Sequence, residues 1–367
     1  MYTALKTKLK LTDTQAVLMA KHAGIARFTF NWGLATWRTL YCEGLKPNSL
    51  VLKKFFNNHV KPVYPWMKEP GICQKVTQYA FEHLGRAFGN FFSGKTGNPK
   101  FKKKGQHDSF TIDASGRPIP VGGSRLKLPT LGWVSTYEGL PHVTTKKFTI
   151  SQEAGNWYIS FTYEIEPKVT PKSLDFVGVD LGVKQLATLS SGLVIANPQA
   201  LRKARQKLAR LQRQLQRKLH GSQRDRRQKL RLAAAHQRVK NIRLDATHKA
   251  TTYICKNHAV VAIEDLNVSG MMANHKLAGA VADANFSEFR RQIEYKAQRY
   301  GSCVVLVSRW YPSTQLCSNC GQQQPMSLNA RVYECSACGF VADRDFNAAV
   351  NLAQYARVAK PSLDTEG

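Results

Sequence analysis

Two short cysteine motifs constrain the fold of this chain more than any other feature. Cys317-Ser-Asn-Cys320-Gly and Cys335-Ser-Ala-Cys338-Gly each place two thiols three positions apart, followed by a glycine that permits a tight turn. Four thiolates in this arrangement bind one Zn²⁺ tetrahedrally at about 2.3 Å, which leaves no open position and makes the metal structural. A redox site would use a single reactive pair after a strand, so the two motifs predict a zinc ribbon.

The charge of the chain indicates a polyanionic partner. Its 367 residues include 54 Lys and Arg against 24 Asp and Glu, a formal charge of +30, and 43% are hydrophobic as in a globular protein. A compact body with this much like charge repels itself unless a polyanion neutralises it, which favours nucleic acid. No apolar run approaches the ~20 residues of a membrane-spanning helix, and the first residues lack a secretory core. We therefore expect an intracellular protein with no membrane partner.

Positive charge is concentrated on a predicted helical hairpin from Leu201 to about Lys249. Leucines recur there at helical spacing, and Gly221 separates two helical runs. A charged helix face is usually only solvated, but the few acids in this segment leave most of its cations without partners, which predicts phosphate contacts. Together with the basic Gly94–Gly105 segment, the hairpin supplies these candidate nucleic-acid contacts: Lys102, Lys103, Lys104, Arg202, Arg205, Arg210, Arg213 and Arg217.

The N-terminal half alternates between strand-like and helical patterns. Residues 1 to about 15 are extended, and helical periodicity begins near Val17 and returns over Gln74 to Phe92. Short β-like runs follow, at Ser109–Ile112, Leu126–Leu128, Lys147–Ser151 and Trp157–Ile165. This order predicts a small β-barrel formed by residues 1–15 and 105–170, interrupted by a helical domain at 16–104.

Three carboxylates stand at the ends of predicted elements. Asp180 ends the strand-like run from Phe176, Glu264 ends the apolar run from Ala259, and Asp345 stands near a helix N-terminus. An acid at the end of a buried strand is costly unless it binds something positive. Three such acids can hold two Mg²⁺ ions about 3.5–4 Å apart, with Mn²⁺ as a substitute, and hydrolyse a phosphodiester bond.

The residues alone leave alternatives open at this site. Asp345 would also serve as a helix cap, and Asp180 as a turn residue. Asp265 and Asp343 stand close to two of the acids and compete for the same role. Because strand alternation directs Glu264 and Asp265 to opposite faces, only one of that pair lines the site.

The order of these motifs resembles the TnpB family of transposon-associated RNA-guided endonucleases, which is related to the type V CRISPR effectors. The similarity is carried by GVDLGVKQLAT around Asp180, VAIEDLNVSGM around Glu264, RWYPSTQLCSNCG leading into the ribbon, and DRDFNAAVNL around Asp345. Upstream, GNPKFKKKGQHDSFTI and NWYISFTYEIE resemble the N-terminal part of the family. The resemblance therefore covers most of the chain.

The resemblance implies an α/β fold plus a small β-barrel. An RNase H-like (RuvC) nuclease core would occupy residues 171–310 and 341–358, with the zinc ribbon inserted at 311–340. The N-terminal barrel would be a wedge domain, and its helical insertion a recognition domain. Residues 359–367 are expected to form a disordered tail.

The resemblance also implies a set of functional residues and partners. Asp180, Glu264 and Asp345 would be the catalytic acids, which selects Asp345 over Asp343, and Arg331 in the ribbon would assist them. A guide RNA from the transposon end would direct cleavage of double-stranded DNA beside a short motif, by a monomer with its RNA in the nucleoid-associated cytoplasm of a prokaryote. On the recognition helix, two side chains four residues apart are candidates for reading base edges, Gln74 and Gln78.

Three other functions use similar parts. A guided DNA-binding repressor that does not cut would lack at least one acid, and this chain lacks none. A strand-transfer transposase would use similar two-metal chemistry, but the placement of the ribbon disfavours it. A structural zinc-ribbon protein that binds RNA would not explain Glu264 at a buried strand end.

Overall fold

The computed structural model describes residues 1–172, 174–327 and 329–359. The chain divides into two compact units, residues 1–165 and the residues from Glu166 onward. Among the described residues, no helix is long and apolar enough to cross a membrane. Of the predicted tail, Ala359 is the last residue of a helix, and positions 360–367 lie outside the described residues.

The first unit contains one six-stranded antiparallel sheet that curves into a half-barrel. Its strands are β1 (Tyr2–Lys10), β2 (Ser109–Asp113), β3 (Ile119–Leu128), β4 (Gly132–Thr145), β5 (Lys147–Glu153) and β6 (Asn156–Glu164). The order is β2-β5-β6-β1-β4-β3. Along most of its length β1 pairs with β6, and its last residues pair with β4. The chain therefore returns to its first strand after more than a hundred residues.

Strand β4 is absent from the sequence prediction, and β3 starts earlier than predicted. The pairing of these two strands shifts register at Gly123, where an irregularity interrupts the ladder. Such shifts break the two-residue alternation from which strands are recognised, and Gly139 and Pro141 are both poor strand formers. The other three predicted runs coincide with β2, β5 and β6.

Helices fill the interval between β1 and β2. They are α1 (Asp13–Cys42), α2 (Ser49–Phe55) and α3 (Lys75–Phe92), with a π-helical turn at Phe56–Val60 and 3-10 turns at Lys61–Val63 and Pro65–Lys68. Thr12 begins α1 with a capping box, because its hydroxyl accepts from Gln15 N–H and the Gln15 side chain accepts from Thr12 N–H. Trp37 stacks on Phe88, which joins α1 to α3. The aromatic side of α3 therefore belongs largely to the core.

The second unit is built on a mixed five-stranded sheet. Its strands are β7 (Leu174–Asp180), β8 (Gln185–Leu189), β9 (Val194–Ala196), β10 (His258–Glu264) and β11 (Cys303–Val307). The order is β11-β10-β7-β8-β9. The first three in that order are parallel, whereas β8 and β9 are antiparallel additions. The near-continuous apolar sequence of β10 fits a strand buried on both faces.

Helices cover both faces of this sheet. They are α4 (Ala200–Gln216), α5 (Gln223–Asn257), α6 (Val268–Ala273), α7 (Ala278–Ala284), α8 (Phe286–Tyr300) and α9 (Arg344–Ala359). Val177 and Val179 pack with side chains of α5 and α8, whereas Phe176 packs with α9. A two-stranded hairpin, β12 (Val332–Glu334) and β13 (Val341–Asp343), leads directly into α9. The sheet thus lies between an α5–α8 layer and α9.

Candidate functional site

Asp180 and Glu264 lie side by side at one edge of the second sheet. Ile263 pairs with Val179 in the parallel ladder, so the next residues end neighbouring strands at the same level. Side chains alternate along a strand, and Asp180 and Glu264 have the same parity as Phe176 and Ala262, which pack with α9. Both acids therefore face the layer that also carries Asp345.

Gly178 explains how α9 reaches the acids. A Cβ atom built on Gly178 would lie 1.8 Å from the carbonyl oxygen of Ala349 and 2.7 Å from the amide nitrogen of Ala353. Only a glycine allows the two backbones to approach this closely. Asp345 stands in the first turn of α9, one turn before this contact. The close approach therefore brings Asp345 toward Asp180, whose pKa responds to the charges of both other acids.

Asp343 and Asp265, which the sequence left as competitors, have other partners. The Asp343 carboxylate accepts from the backbone N–H groups of Asp345 and Phe346 at 2.9 and 3.1 Å, so it caps α9. The Asp265 carboxylate forms ion pairs with Arg290 and Arg309, the second at 2.6 Å. These contacts favour Asp345 and Glu264 for the site.

The electrostatics of the three acids favour cation binding. Burial, and then the charges of Glu264 and Asp345, raise the pKa of Asp180 to about 8, while Arg344 opposes the rise. Burial also raises the pKa of Glu264, against the hydrogen bond that Ser313 Oγ donates to it at 2.6 Å. A raised carboxyl pKa means that the charged form is unfavourable without a nearby cation. Hard carboxylate oxygens of this kind suit Mg²⁺.

Two residues that touch the acids were missed by sequence reasoning. Ser313 donates to Glu264, and the Arg344 guanidinium donates to the Asp345 carboxylate at 2.9 and 3.1 Å. Ser313 stands in the RWYPSTQLCSNCG stretch, and Arg344 stands between two acids in DRDFNAAVNL. Their places beside the ribbon cysteines and beside Asp345 were the sequence signals that could have identified them. The ion pair with Arg344 offsets part of the negative charge of Asp345.

The four ribbon cysteines converge as the sequence predicts. Within the described ranges they are the only group of three or more His, Cys, Asp or Glu side chains whose ligand atoms lie within 4.8 Å of one another, so the three acids are more loosely gathered. The Sγ atoms of Cys317 and Cys338 are 3.7 Å apart, and those of Cys320 and Cys335 are 3.6 Å apart. A tetrahedron with 2.3 Å bonds has edges of about 3.8 Å, so the cluster fits one structural Zn²⁺.

Cys335→Ser is expected to remove zinc from the ribbon and to lower its thermal stability. Cys335 is buried and supplies one of the four sulfurs, and a structural zinc site contributes its binding free energy to folding. Elemental analysis of the purified protein, combined with calorimetry, measures both effects. Cys42→Ser is the matched control, because Cys42 is exposed and lies outside the cluster. A Cys335→Ser protein that retains one zinc per chain would contradict the four-sulfur site.

The ribbon is joined to α9 by side-chain hydrogen bonds. Asn347 accepts from the Ser318 N–H at 2.9 Å and donates to the Leu316 carbonyl at 2.7 Å. Arg344 N–H donates to the carbonyl of Arg331 at 2.8 Å. Arg331 is therefore a backbone neighbour of the helix that carries Asp345, and its side chain is exposed. This position is compatible with the predicted assisting role.

In the first unit, two of the predicted nucleic-acid contacts have partners within the fold. The Gln74 amide donates to the carbonyls of Met67 and Ile72, so it stabilises the turn before α3. The Lys102 ammonium lies 4.4 Å from the centre of the Phe30 ring, and burial lowers its pKa.

Three further residues of this unit are predicted to contact nucleic acid. Lys103 and Lys104 are exposed. Gln78 is partly buried in a groove that Lys53 and Arg86 also line. These three residues remain predictions as nucleic-acid contacts.

The arginines of α4 form an accessible basic surface. Leu208 packs against Val239 of α5, which fixes one side of α4. The predicted arginines are all exposed: Arg202, Arg205, Arg210, Arg213 and Arg217. The first two also line a cavity of about 710 Å³ with Lys184, His275 and Lys276. Asp283 also lines this cavity, but its carboxylate accepts from two backbone N–H groups of α4, so the exposed charge is mostly positive and attracts an anion such as a phosphate backbone.

Several known proteins are similar in sequence to nearly the whole of this chain. One relative is "Putative RNA-guided DNA endonuclease InsQ" of Escherichia coli K12, which is 36% identical over 95% of this chain and 91% of its own length. A "Putative RNA-guided DNA endonuclease" of Streptomyces pristinaespiralis is 32% identical over 95% of this chain and 88% of its own. The chain belongs to the TnpB family.

Family models and a solved structure agree with this membership. A model described as "Probable transposase" matches residues 160–275, and one described as "Cas12f1-like, TNB domain" matches residues 286–352. A helix-turn-helix model matches residues 1–46, which here form β1 and the single long helix α1. The cryo-EM structure of a Cas12f1–sgRNA–target DNA complex shares the fold, with a TM-score of 0.57 at 12% identity over 94% of this chain and 83% of that one. This TnpB-family chain therefore has the mixed α/β fold of that effector.

Proposed function

We propose that the chain is an RNA-guided DNA endonuclease that hydrolyses phosphodiester bonds with two Mg²⁺ ions held by Asp180, Glu264 and Asp345. The observation that carries the proposal is the convergence of three carboxylates, from β7, β10 and α9, at one sheet edge. Relatives over 95% of the chain are named for RNA-guided DNA cleavage. In this reading β7–β11 with α9 form a RuvC-like nuclease core, and residues 311–340 form its inserted zinc ribbon.

The residues around the acids have separable tasks in this proposal. Magnesium, when bound, activates a water molecule and stabilises the leaving oxygen. Ser313 orients Glu264 through its hydrogen bond. Arg344 balances the charge of Asp345 and stands where a phosphate would also find a positive group. Arg331, whose carbonyl accepts a hydrogen bond from the Arg344 N–H, is the second candidate cation for the substrate.

The basic surfaces account for the proposed partners. The arginines of α4 would bind guide-RNA phosphates, since this contact is independent of base sequence. In the first unit, the half-barrel would be the wedge domain, formed by residues 1–15 and 105–170. The helices at 16–104 would contact the DNA motif, and Gln78 remains the candidate residue for reading its bases. Base pairing with the guide would specify the rest of the target. We place this activity in a monomer bound to RNA in a prokaryotic cytoplasm.

The test compares two neighbouring acids in the same complex. The protein is purified with transcripts from its own locus, retained RNA is sequenced, and Mg²⁺-dependent cutting of matched DNA is measured for wild type, Glu264→Gln and Asp265→Asn. Glu264 lines the site, whereas Asp265 is held by arginines, so Glu264→Gln is expected to cut at least about 10²-fold more slowly than Asp265→Asn.

The other outcomes decide among the alternatives. Retained RNA and guided binding without cutting by the wild type would replace the endonuclease with a guided repressor. Cutting that needs no RNA would indicate an unguided nuclease, and joined DNA products would indicate a strand-transfer transposase. Equal rates for the two variants would remove Glu264 from the metal site.

A further inference from the structure

A short turn, Ser308–Ser313, follows β11 at the same sheet edge as the acids. Val307 pairs with Glu264 at the end of the parallel ladder, so the turn begins beside the site. Within it, Tyr311 N–H donates to the Ser308 carbonyl at 2.9 Å, and Ser313 N–H donates to the Tyr311 carbonyl at 2.8 Å. These bonds give the turn a defined shape.

Both ends of the turn are bound to the end of β10. The Arg309 guanidinium donates to the Asp265 carboxylate at 2.6 Å, and Ser313 Oγ donates to Glu264 at 2.6 Å. The ring of Tyr311 packs edge-on against Tyr355 of α9, with ring centres 4.9 Å apart. The turn is therefore held on both sides of its central residue, Trp310.

Trp310 is the most exposed large hydrophobic side chain in the described part of the chain, at 86%. Its neighbour Tyr311 is partly buried, so the turn separates one packed ring from one presented ring. Fixing an indole in water is unfavourable for a protein alone, and such exposed groups mark interaction sites. A flat aromatic face beside arginine is the surface on which unpaired bases stack.

We propose that Trp310 is a stacking platform for an unpaired DNA base next to the scissile phosphate. This inference rests on the proposed endonuclease function. The turn that carries the indole is hydrogen-bonded to Glu264 through Ser313, so Trp310 stands three residues from a side chain that touches a catalytic acid. The base must be unpaired, because in a duplex its faces are covered by neighbouring bases.

A cavity beside the same acid provides room for the adjoining nucleotide. It measures about 320 Å³ and is lined by two acids, Glu264 and Glu294, by two arginines, Arg290 and Arg291, and by apolar side chains such as Leu181. Asp265 binds both Arg290 and Arg309, so one carboxylate connects the cavity to the turn. The apolar walls suit the flat face of a base, while Arg290 and Arg291 are held in place by ion pairs with Glu294 and Glu288.

The test reads base stacking directly in the complete complex of protein, guide RNA and target DNA. The target carries the fluorescent adenine analogue 2-aminopurine at positions flanking the cut, in an Asp180→Asn background that leaves the DNA intact. Stacking on an indole quenches this fluorophore. Trp310→Ala is expected to restore the fluorescence at one flanking position, whereas Trp310→Phe retains much of the quenching. In otherwise wild-type protein, Trp310→Ala is expected to lower the single-turnover cleavage rate about tenfold.

Controls separate this inference from the proposed function. Trp133→Ala removes a 56% exposed tryptophan in the first unit and is expected to leave both readouts unchanged. Each Trp310 variant should unfold at the same temperature as its parent protein, since Trp310 packs little against the protein. Wild-type cutting with unaltered fluorescence in Trp310→Ala would overturn the platform alone, and a response from 2-aminopurine in the guide RNA instead would assign the indole to RNA. Failure of the wild type to cut would overturn the endonuclease itself.

Discussion

Gly178→Ala is expected to destabilise the second unit by at least about 3 kcal/mol and to slow DNA cleavage at least about 10²-fold. The added Cβ would lie 1.8 Å from the Ala349 carbonyl oxygen, and the nearest atoms are all backbone. No side-chain rotation relieves such a contact, so α9 must move away from β7. Because α9 carries Asp345, the displacement also separates the third acid from the other two.

Denaturant unfolding and single-turnover cleavage measure the two effects. Gly279→Ala is the matched control in the same unit, since it lies in α7 and a Cβ there meets no atom within 4 Å. Alanine is the better helix former, so the control is expected to gain about 0.5–1 kcal/mol and to retain full activity. If the two alanine variants behaved alike, the close packing of α9 on β7 would not be what positions Asp345.

Asp180→Asn is expected to abolish activity while stabilising the metal-free protein. The neutral amide keeps the size of the side chain but loses the charge that holds a divalent cation, so cleavage should fall by about 10³-fold or more. The same change removes a partly buried negative charge that Glu264 and Asp345 repel. Active-site charges that reduce stability in this way are a common cost of function.

The pH dependence follows from the pKa of Asp180, which is raised to about 8 in the folded state. The unfolded chain releases this proton near pH 4, so between these values the folded state binds the extra proton and wild-type stability falls as pH rises. In EDTA, the advantage of Asp180→Asn should therefore grow from about pH 4 to about pH 8 and then level off, with an upper limit of about 5 kcal/mol.

Asp343→Asn is expected to change stability in the opposite direction to Asp180→Asn, although Asp343 is a nearby carboxylate. Asp343 caps α9 through two backbone N–H groups, and weakening this cap is expected to lower stability by up to about 1 kcal/mol at neutral pH. Chemical denaturation of both variants across pH is the measurement. An Asp180→Asn protein less stable than wild type in EDTA at pH 8 would mean that the three acids do not repel one another in the folded chain.

The sequence predicted the direction of a side chain best where the geometry of one strand is enough to fix it. Strand alternation predicted different directions for Glu264 and Asp265, and the first faces the α9 layer while the second binds arginines. The pair Asp343 and Asp345 could not be separated in this way, because either can cap a helix that starts nearby. Two backbone hydrogen bonds identify Asp343 as the helix cap, and these bonds depend on how the turn before α9 folds.

Features that depend on distant partners were harder to predict. Lys102 belongs to a basic run, yet its ammonium lies over Phe30 and its backbone N–H donates to the Asn31 side chain. In the sequence, Gly178 is one small residue of a strand, and its close contact with Ala349 exists only in the folded chain. In both cases the partner lies more than 70 positions away, and no local pattern records it.

The position of α9 in the chain also sets an order of events during synthesis. A nascent chain that has emerged beyond Glu264 can form the parallel pair of β7 and β10 but carries only two of the three acids. Asp345 emerges after Cys338 has completed the sulfur cluster, and Asn347 then docks on the first cysteine knuckle. In the proposed enzyme, all four zinc ligands are thus synthesised before the third magnesium ligand, so a nascent chain that has not reached Asp345 has no complete cutting site.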